Sequence, residues 1–175
     1  MQLHELGERI CILGPSNSGK STLANAIARK RGWPAIHLDQ LFHVPGSDWI
    51  PRPLDEFIAL HDEAIQGDTW VMDGNYSACV PQRLSRATGM IVLEVSTLRS
   101  LFRYARRASS SEARVGALEG GRDNIKWSMI HHIAVATPRN RKRYAALYRN
   151  IDLPKVYLGS ARAIDDCYRQ WALER

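Results

Sequence analysis

The nine residues GPSNSGKST, positions 14–22, constrain the fold of this chain more than any other stretch. They fit the pattern G-x-x-x-x-G-K-[S/T] at every position, and they lie between an apolar run, RICIL, and a segment of helical period, LANAIARK. Small residues in such a loop let successive backbone N–H groups point at one anion, and the following helix adds its positive end. The stretch therefore predicts a phosphate-binding loop between a β-strand and an α-helix.

Positions within this loop assign roles to its side chains. Lys20 is placed to reach the β and γ phosphates of a nucleoside triphosphate, and the Ser21 hydroxyl suits Mg²⁺. Thr22 lies one residue further on, where it suits the α-phosphate. The predicted nucleotide-binding residues are Gly14, Ser16, Asn17, Ser18, Gly19, Lys20, Ser21 and Thr22.

Short apolar runs alternate with segments of helical period along the rest of the chain. The predicted strands are Arg9–Leu13, Ala35–Leu38, Thr69–Met72, Met90–Val95 and Lys155–Leu158. The predicted helices are Lys20–Lys30, Leu54–Ile65, Ser77–Ala87, Thr97–Ala108, Arg122–Ala134, Pro138–Arg149 and Ala161–Leu173. This alternation predicts one α/β domain, residues 1–175, with a parallel sheet covered on both faces. Ligands of such sheets bind beyond the carboxyl ends of the strands.

Two acids end predicted strands and are candidates for that edge. Asp73 follows TWVM and is the predicted second metal ligand, with a plain D-G turn as the alternative. Asp39 ends IHLD, and it suits three roles: a general base, a holder of Mg²⁺-bound water, or a cap for the next turn. His37, two residues before Asp39, is interpreted as a packed strand residue.

The basic charge of the chain is concentrated in one segment. Residues 99–149 carry 12 Lys/Arg and 3 Asp/Glu, whereas the whole chain has a net charge of +6. The segment opens with a helix of two faces. Leu98, Leu101, Phe102 and Ala105 are predicted to pack on the sheet, and the opposite stripe is Arg99, Arg103, Arg106 and Arg107. Such a stripe at the nucleotide edge suits a transferring phosphoryl group, although a solvated face is the alternative.

Several protein classes are disfavoured by what the sequence does not contain. The three cysteines are far apart, odd in number and without a C-x-x-C pair, so neither a disulfide framework nor a zinc site is expected. No apolar run reaches the roughly 18 residues of a membrane span, and MQLHELGERI does not resemble a signal peptide. We therefore expect a cytoplasmic protein without a membrane partner.

Several further stretches, taken with the phosphate-binding loop and the arginine helix, resemble one family. They are IHLDQLF, PGSDWIPRP, GDTWVMDGNY and PQRLSRA. Together they are similar to the adenylate-kinase-related P-loop proteins of the DNA-topology-modulation (FlaR-type) family, over nearly the whole chain. The resemblance implies a three-layer P-loop NTPase fold that is nucleoside-monophosphate-kinase-like, with a five-stranded parallel sheet of order 2-3-1-4-5. It also implies an acceptor-binding insert at about 40–68 and a helical lid at about 108–138.

The same resemblance implies a set of ligands and site residues. ATP would lie on the loop, Mg²⁺ on Ser21 and Asp73, and the lid arginines would be Arg103 and Arg107. The implied acceptor-binding residues are Arg52, Asn75 and Tyr76. Adenylate kinases follow D-G with an aromatic residue, Pro, Arg and Thr, which help to hold AMP. Gly74 is followed here by Asn75, Tyr76 and Ser77, and this departure argues against AMP as the acceptor.

The sequence thus predicts a phosphotransferase that moves the γ-phosphate of Mg-ATP to a small acceptor, either a nucleotide or a small metabolite. The predicted catalytic residues are Lys20, Asp39, Arg103 and Arg107. The alternative is a nucleotide-regulated nucleic-acid-binding protein that affects DNA topology, in which the basic segment contacts phosphates. It is not favoured, because the sequence shows no helix-turn-helix, zinc-finger or aromatic-stacking module.

Overall fold

The computed structural model describes residues 1–97, 100, 102 and 137–175. Five parallel strands form one sheet in the order β2-β3-β1-β4-β5. They are β1 (Arg9–Leu13), β2 (Ala35–His37), β3 (Trp70–Asp73), β4 (Gly89–Leu93) and β5 (Lys155–Leu158). The predicted parallel sheet and its strand order are therefore confirmed.

Helices cover both faces of this sheet. Those described are α1 (Lys20–Arg31), α2 (Leu38–Phe42), α3 (Leu54–Ala64), α4 (Val80–Arg86), α5 (Thr137–Asn150) and α6 (Ala161–Gln170). Helix α1 ends at Gly32, whose φ of 68° is the left-handed conformation that glycine adopts readily. The Ser160 hydroxyl caps α6 by accepting a hydrogen bond from the Ala163 amide at 3.1 Å. Within the described ranges, no helix combines the length and the apolar character that crossing a bilayer requires.

Some predicted boundaries were wrong. The predicted strand Ala35–Leu38 ends one residue earlier, at His37, and helix α2 begins at Leu38. The sequence did not predict α2, because its five residues are too few to show a helical period. Residues 77–87 do not form one helix. A 3₁₀ turn, Ser77–Cys79, precedes α4, where Pro81 occupies the first turn because its missing N–H is not needed there.

The core lies on the two faces of the sheet, and alternate residues of each strand supply it. In β1, Ile10 and Ile12 belong to one apolar cluster, whereas Cys11 and Leu13 belong to the other. The first cluster joins the sheet to α1 and α6, and the second joins it to α3 and α5. Strands of a parallel sheet are buried on both faces, which explains why they read as continuous apolar runs.

The arginine helix and the lid fall largely outside the described residues. The prediction that Phe102 packs on the sheet is wrong, since 68% of this residue is exposed while Ser100 is fully buried. Positions two residues apart lie on nearly opposite sides of a helix, so the buried face here includes Ser100. The other predicted packing residues, the Arg stripe, the helix Arg122–Ala134 and most of the proposed lid lie outside the described residues.

Candidate nucleotide and acceptor site

The loop between β1 and α1 has the backbone of an anion cradle. Its positive φ angles are 149° at Gly14, 60° at Asn17 and 96° at Gly19. A Cβ atom at Gly14 would lie 2.4 Å from the Leu93 carbonyl oxygen, so this position requires glycine. Gly19 is the N-cap of α1 and makes no side-chain cap, so the positive end of the helix faces the loop.

The side chains of the loop differ in their contacts and in their exposure. Lys20 Nζ donates a hydrogen bond to the Pro15 carbonyl oxygen at 2.9 Å and thereby spans the loop. Ser18 is buried, Ser16 and Asn17 are half-buried, and Thr22 is exposed on the first turn of α1.

Ser21 and Asp73, the two predicted metal ligands, meet directly. Ser21 Oγ donates to Asp73 Oδ2 at 2.8 Å, and Asp73 is only 5% exposed at the end of β3. A hydroxyl and a carboxylate are the oxygen ligands that Mg²⁺ prefers. The described residues contain no group of three His, Cys, Asp or Glu side chains suited to a metal. Ser21 and Asp73 supply two oxygen ligands, which fits an ion that takes its remaining ligands from phosphates and water.

His37, interpreted from the sequence as a packing residue, is buried but bound to polar partners. Its Nδ1 contacts Asp73 Oδ1, and its Nε2 lies 2.9 Å from Asn25 Oδ1. The pairing of β2 with β3 places His37 directly opposite Asp73. Sequence reasoning missed this contact. The available signal was that each residue lies within one position of the end of a predicted strand, Ala35–Leu38 for His37 and Thr69–Met72 for Asp73.

Asn75, predicted to bind the acceptor, has a different partner in the structure. Its Oδ1 accepts from the Gly14 amide at 3.2 Å, and its Nδ2 donates to the Gly14 carbonyl at 2.6 Å. The side chain thus holds the first residue of the cradle at both of its peptide groups. A role of Asn75 in acceptor binding stays a prediction.

A fully buried arginine lies beneath the turn that carries Asn75. Arg83 is 0% exposed, and its Nη2 donates to the Gly74 carbonyl at 3.1 Å. Gly74 itself has a φ of 135°, and a Cβ there would lie 2.7 Å from Leu38 Cβ. The turn after Asp73 is therefore fixed both by steric contact and by a buried charge.

The predicted acceptor side is built from aromatic rings around one carboxylate. Tyr76 OH donates to Asp39 Oδ1 at 2.8 Å, and Asp39 lies in the first turn of α2. The rings of Phe42, Phe57 and Tyr76 pack with centroids 4.7 to 5.1 Å apart. The N-cap position of α2 is His37, so Asp39 is not the residue that caps this turn.

Arg52, the predicted anion-binding residue of this side, is engaged by its own segment. Its Nη1 donates to Glu56 Oε1 at 2.6 Å, and its Nε donates to the Leu41 carbonyl at 3.1 Å. The Glu56 carboxylate in this salt bridge opposes the positive charge with which Arg52 would attract an acceptor phosphate or carboxylate. An anion-binding role for Arg52 stays a prediction.

The three cysteines, Cys11, Cys79 and Cys167, are free, buried thiols. Burial raises the pKa of Cys11 to about 11 and that of Cys167 to about 12, and it also raises the pKa of Cys79. Thiolates are the reactive form of cysteine, so none of these thiols is poised as a nucleophile at neutral pH.

Comparison with solved structures gives the same architecture. A gluconokinase from Sinorhizobium meliloti 1021 is 19% identical, with a TM-score of 0.55 over 96% of this chain and 93% of the gluconokinase. A shikimate kinase from Acinetobacter baumannii, in complex with shikimate, is 16% identical, with a TM-score of 0.59 over 95% of this chain and 92% of the kinase. At these identities the likeness shows the fold alone, and the fold is the one that these two kinases have. Neither a family model nor a curated protein sequence matches the chain.

Proposed function

We propose that this protein is an ATP-dependent phosphotransferase that moves the γ-phosphoryl group of Mg-ATP to a small acceptor. The observation that carries the proposal is the contact of Ser21 Oγ with Asp73 Oδ2 beside the cradle. It joins the two oxygen ligands of a magnesium ion to a loop whose backbone suits a polyphosphate.

The residues of the cradle have different roles in the proposed transfer. The backbone amides and the start of α1 hold the phosphates, and Lys20 brings a positive charge to the phosphoryl group in transit. Ser21 and Asp73 would hold Mg²⁺, which neutralises charge on the phosphate oxygens when bound. Arg103 and Arg107 are proposed to stabilise the same charge from the lid, and they lie outside the described residues.

The acceptor that fits best is a small metabolite with a hydroxyl group. Residues 40–68 contain six Asp/Glu but a single Lys/Arg, Arg52, and Arg52 is paired with Glu56. This charge balance favours a hydroxyl over the phosphate of a nucleoside monophosphate. The similar structures include kinases that are named for the hydroxylated metabolites gluconate and shikimate, which supports the same class here.

Asp39 is the proposed base of the transfer. The hydroxyl oxygen of the acceptor attacks Pγ and gives its proton to the Asp39 carboxylate as the new O–P bond forms. The bond between Pγ and the bridging oxygen of ATP breaks, and ADP leaves with the electron pair. Tyr76 holds Asp39 Oδ1 during this step, because its hydroxyl donates to that atom.

A phosphate-transfer screen tests the proposal. Purified protein with Mg-ATP is incubated with polyols, sugar acids, nucleosides and nucleoside monophosphates, and ADP formation is measured, with duplex DNA in parallel wells. We expect ADP formation that depends on a hydroxylated metabolite. Stimulation by duplex DNA, with no response to any small molecule, would instead support the resemblance to DNA-topology-modulation proteins.

Replacement of both lid arginines tests their part in the transfer. Substituting Arg103 and Arg107 together by alanine should lower turnover far more than ATP affinity, because their charge is needed chiefly in the transition state. A variant with weaker ATP binding and unchanged turnover would show that this role is wrong.

A further inference from the structure

Four side chains from three elements form a continuous hydrogen-bonded chain under the cradle. Ser21 binds one oxygen of Asp73, His37 binds the other oxygen, and Asn25 binds the far side of the His37 ring. Ser21 and Asn25 are four residues apart on α1 and therefore lie on the same side of the helix. This series of hydrogen bonds therefore begins and ends on α1 and passes through the ends of β3 and β2.

This arrangement leaves the Asp73 carboxylate one orientation. Oδ1 faces His37 and Oδ2 faces Ser21, so rotation of the carboxylate would break both contacts. Both His37, at 7%, and Asp73, at 5%, are nearly inaccessible to solvent. Water therefore cannot readily replace a lost partner, and an unpaired buried carboxylate oxygen is costly.

The His37 ring is itself held at two points. Asn25 Oδ1 lies 2.9 Å from Nε2, and the strand register fixes the backbone of His37 opposite Asp73. With Nδ1 facing the carboxylate and Nε2 facing Asn25, the ring plane has no freedom to turn away. The sequence signal for such a role is weak, because Asn25 and Asp73 are far from each other in the chain.

We propose that His37 and Asn25 are positioning residues that orient the Asp73 carboxylate for Mg²⁺. They act on the metal through Asp73 and touch neither nucleotide nor acceptor. The inference rests on the proposed nucleotide site but not on the identity of the acceptor. Partners of this kind, which orient a metal ligand, change metal affinity by about 10- to 100-fold when they are removed.

The test measures Mg²⁺ through its effect on nucleotide binding. A fluorescent ATP analogue is titrated in EDTA and then at increasing Mg²⁺, and the Mg²⁺ concentration for half-maximal enhancement is recorded for each variant. For His37→Leu we expect this midpoint to rise about 10- to 100-fold, with affinity in EDTA close to that of the unchanged protein.

A matched control separates this effect from the loss of any buried histidine. His61 is also fully buried and also contacts an aspartate, Asp62, through Nδ1 at 2.9 Å, but it lies on α3. His61→Leu should lower the melting temperature without moving the Mg²⁺ midpoint. A midpoint that moves equally in the two variants would overturn the proposal.

Two milder variants keep the test decisive if His37→Leu does not fold. His37→Asn retains a side-chain N–H near the position of Nδ1, so it should recover much of the wild-type midpoint. Asn25→Ala removes the outer contact from a half-buried position of α1 and should raise the midpoint by a smaller factor. An Asn25→Ala midpoint equal to that of the unchanged protein, with His37→Asn no better than His37→Leu, would overturn the positioning role.

Failure of this inference differs from failure of the proposed function. Nucleotide binding requires no acceptor, so a Mg²⁺ midpoint that responds to His37 would stand even if the screen finds no phosphate transfer. Nucleotide binding that does not respond to Mg²⁺ in the unchanged protein would overturn the inference directly.

Discussion

The cradle side and the acceptor side of this site are built in opposite ways. On the cradle side, the Asn75 side chain holds both peptide groups of Gly14, and His37 holds the Asp73 carboxylate. On the acceptor side, the aromatic rings of Phe42, Phe57 and Tyr76 pack together, and the Tyr76 hydroxyl binds the Asp39 carboxylate.

In the proposed function, the two sides recognise different kinds of ligand. A triphosphate is the same in every ATP-using protein, so a backbone loop with helix amides can serve it regardless of the rest of the chain. An acceptor differs between enzymes, and its recognition depends on the shape and polarity of side chains brought together by folding. The two sides should therefore respond differently to substitution, pH and ligand.

The largest effect should come from the cradle lysine. Lys20→Ala removes the charge directed at the phosphates, and acceptor-dependent ADP formation should fall on the order of 10²- to 10³-fold. Lys30→Ala is the matched control, because Lys30 is an exposed lysine near the other end of α1. Turnover that survives in Lys20→Ala would show that the cradle is not the catalytic site.

A smaller loss should follow from releasing the cradle at its first residue. Asn75→Ala removes both hydrogen bonds to Gly14, and the free energy of unfolding should fall by about 1–3 kcal/mol. ATP affinity should fall with it, whereas Asn150→Ala, at an exposed position, should change neither quantity. Denaturant unfolding with and without ATP measures both. If acceptor affinity alone decreases, Asn75 belongs to the acceptor side.

On the acceptor side, Tyr76→Phe is expected to have a mild and selective effect. It removes the hydroxyl that binds Asp39 but keeps the ring packed against Phe42 and Phe57, at a cost of about 1 kcal/mol. The KM for the acceptor should rise several-fold while ATP affinity stays unchanged. Tyr148→Phe, which removes a hydroxyl near β5, serves as the control. Equal decreases in the affinity for ATP and in the affinity for the acceptor would show that the two sides do not act separately.

The smallest expected effect is a difference in pH sensitivity between the two sides. Burial lowers the pKa of His61 in α3, Asp62 opposes that shift, and the charge of Arg83 adds to it. Below a pH of about 6.5 the unfolded chain binds a proton that the folded state resists, so stability falls as pH decreases toward the lowered folded value.

Hydrogen exchange at pH 7.5 and 5.5 measures this difference. Amides of α3 should lose protection at the lower pH before those of α1, and His61→Gln should remove most of the difference. Equal loss of protection in α1 and α3 would show that His61 does not control the response.

Local patterns explain which parts were predictable. The loop at residues 14–22 was predictable because nine consecutive residues determine it, and Asp73 was predictable because it follows an apolar run. Helix α2 was missed because five residues carry no visible period, and Phe102 was placed on the wrong face of its helix. The second error arises because neighbours distant in sequence decide which face of a helix is buried.

The sequence by itself determined the phosphate-binding loop and the parallel sheet, because strand and helix periods and a contiguous motif are local properties. The strand order was implied by the family resemblance. Only the tertiary structure decided that His37 turns to Asp73, that Asn75 holds Gly14 and that Arg52 pairs with Glu56. Two of these contacts join residues more than 35 positions apart. The pairing of Arg52 lies within one segment, but the sequence alone did not show whether its charge would face a ligand or Glu56. Burial makes the contact of His37 with Asp73 firm, since a polar atom removed from water must find a partner inside the protein.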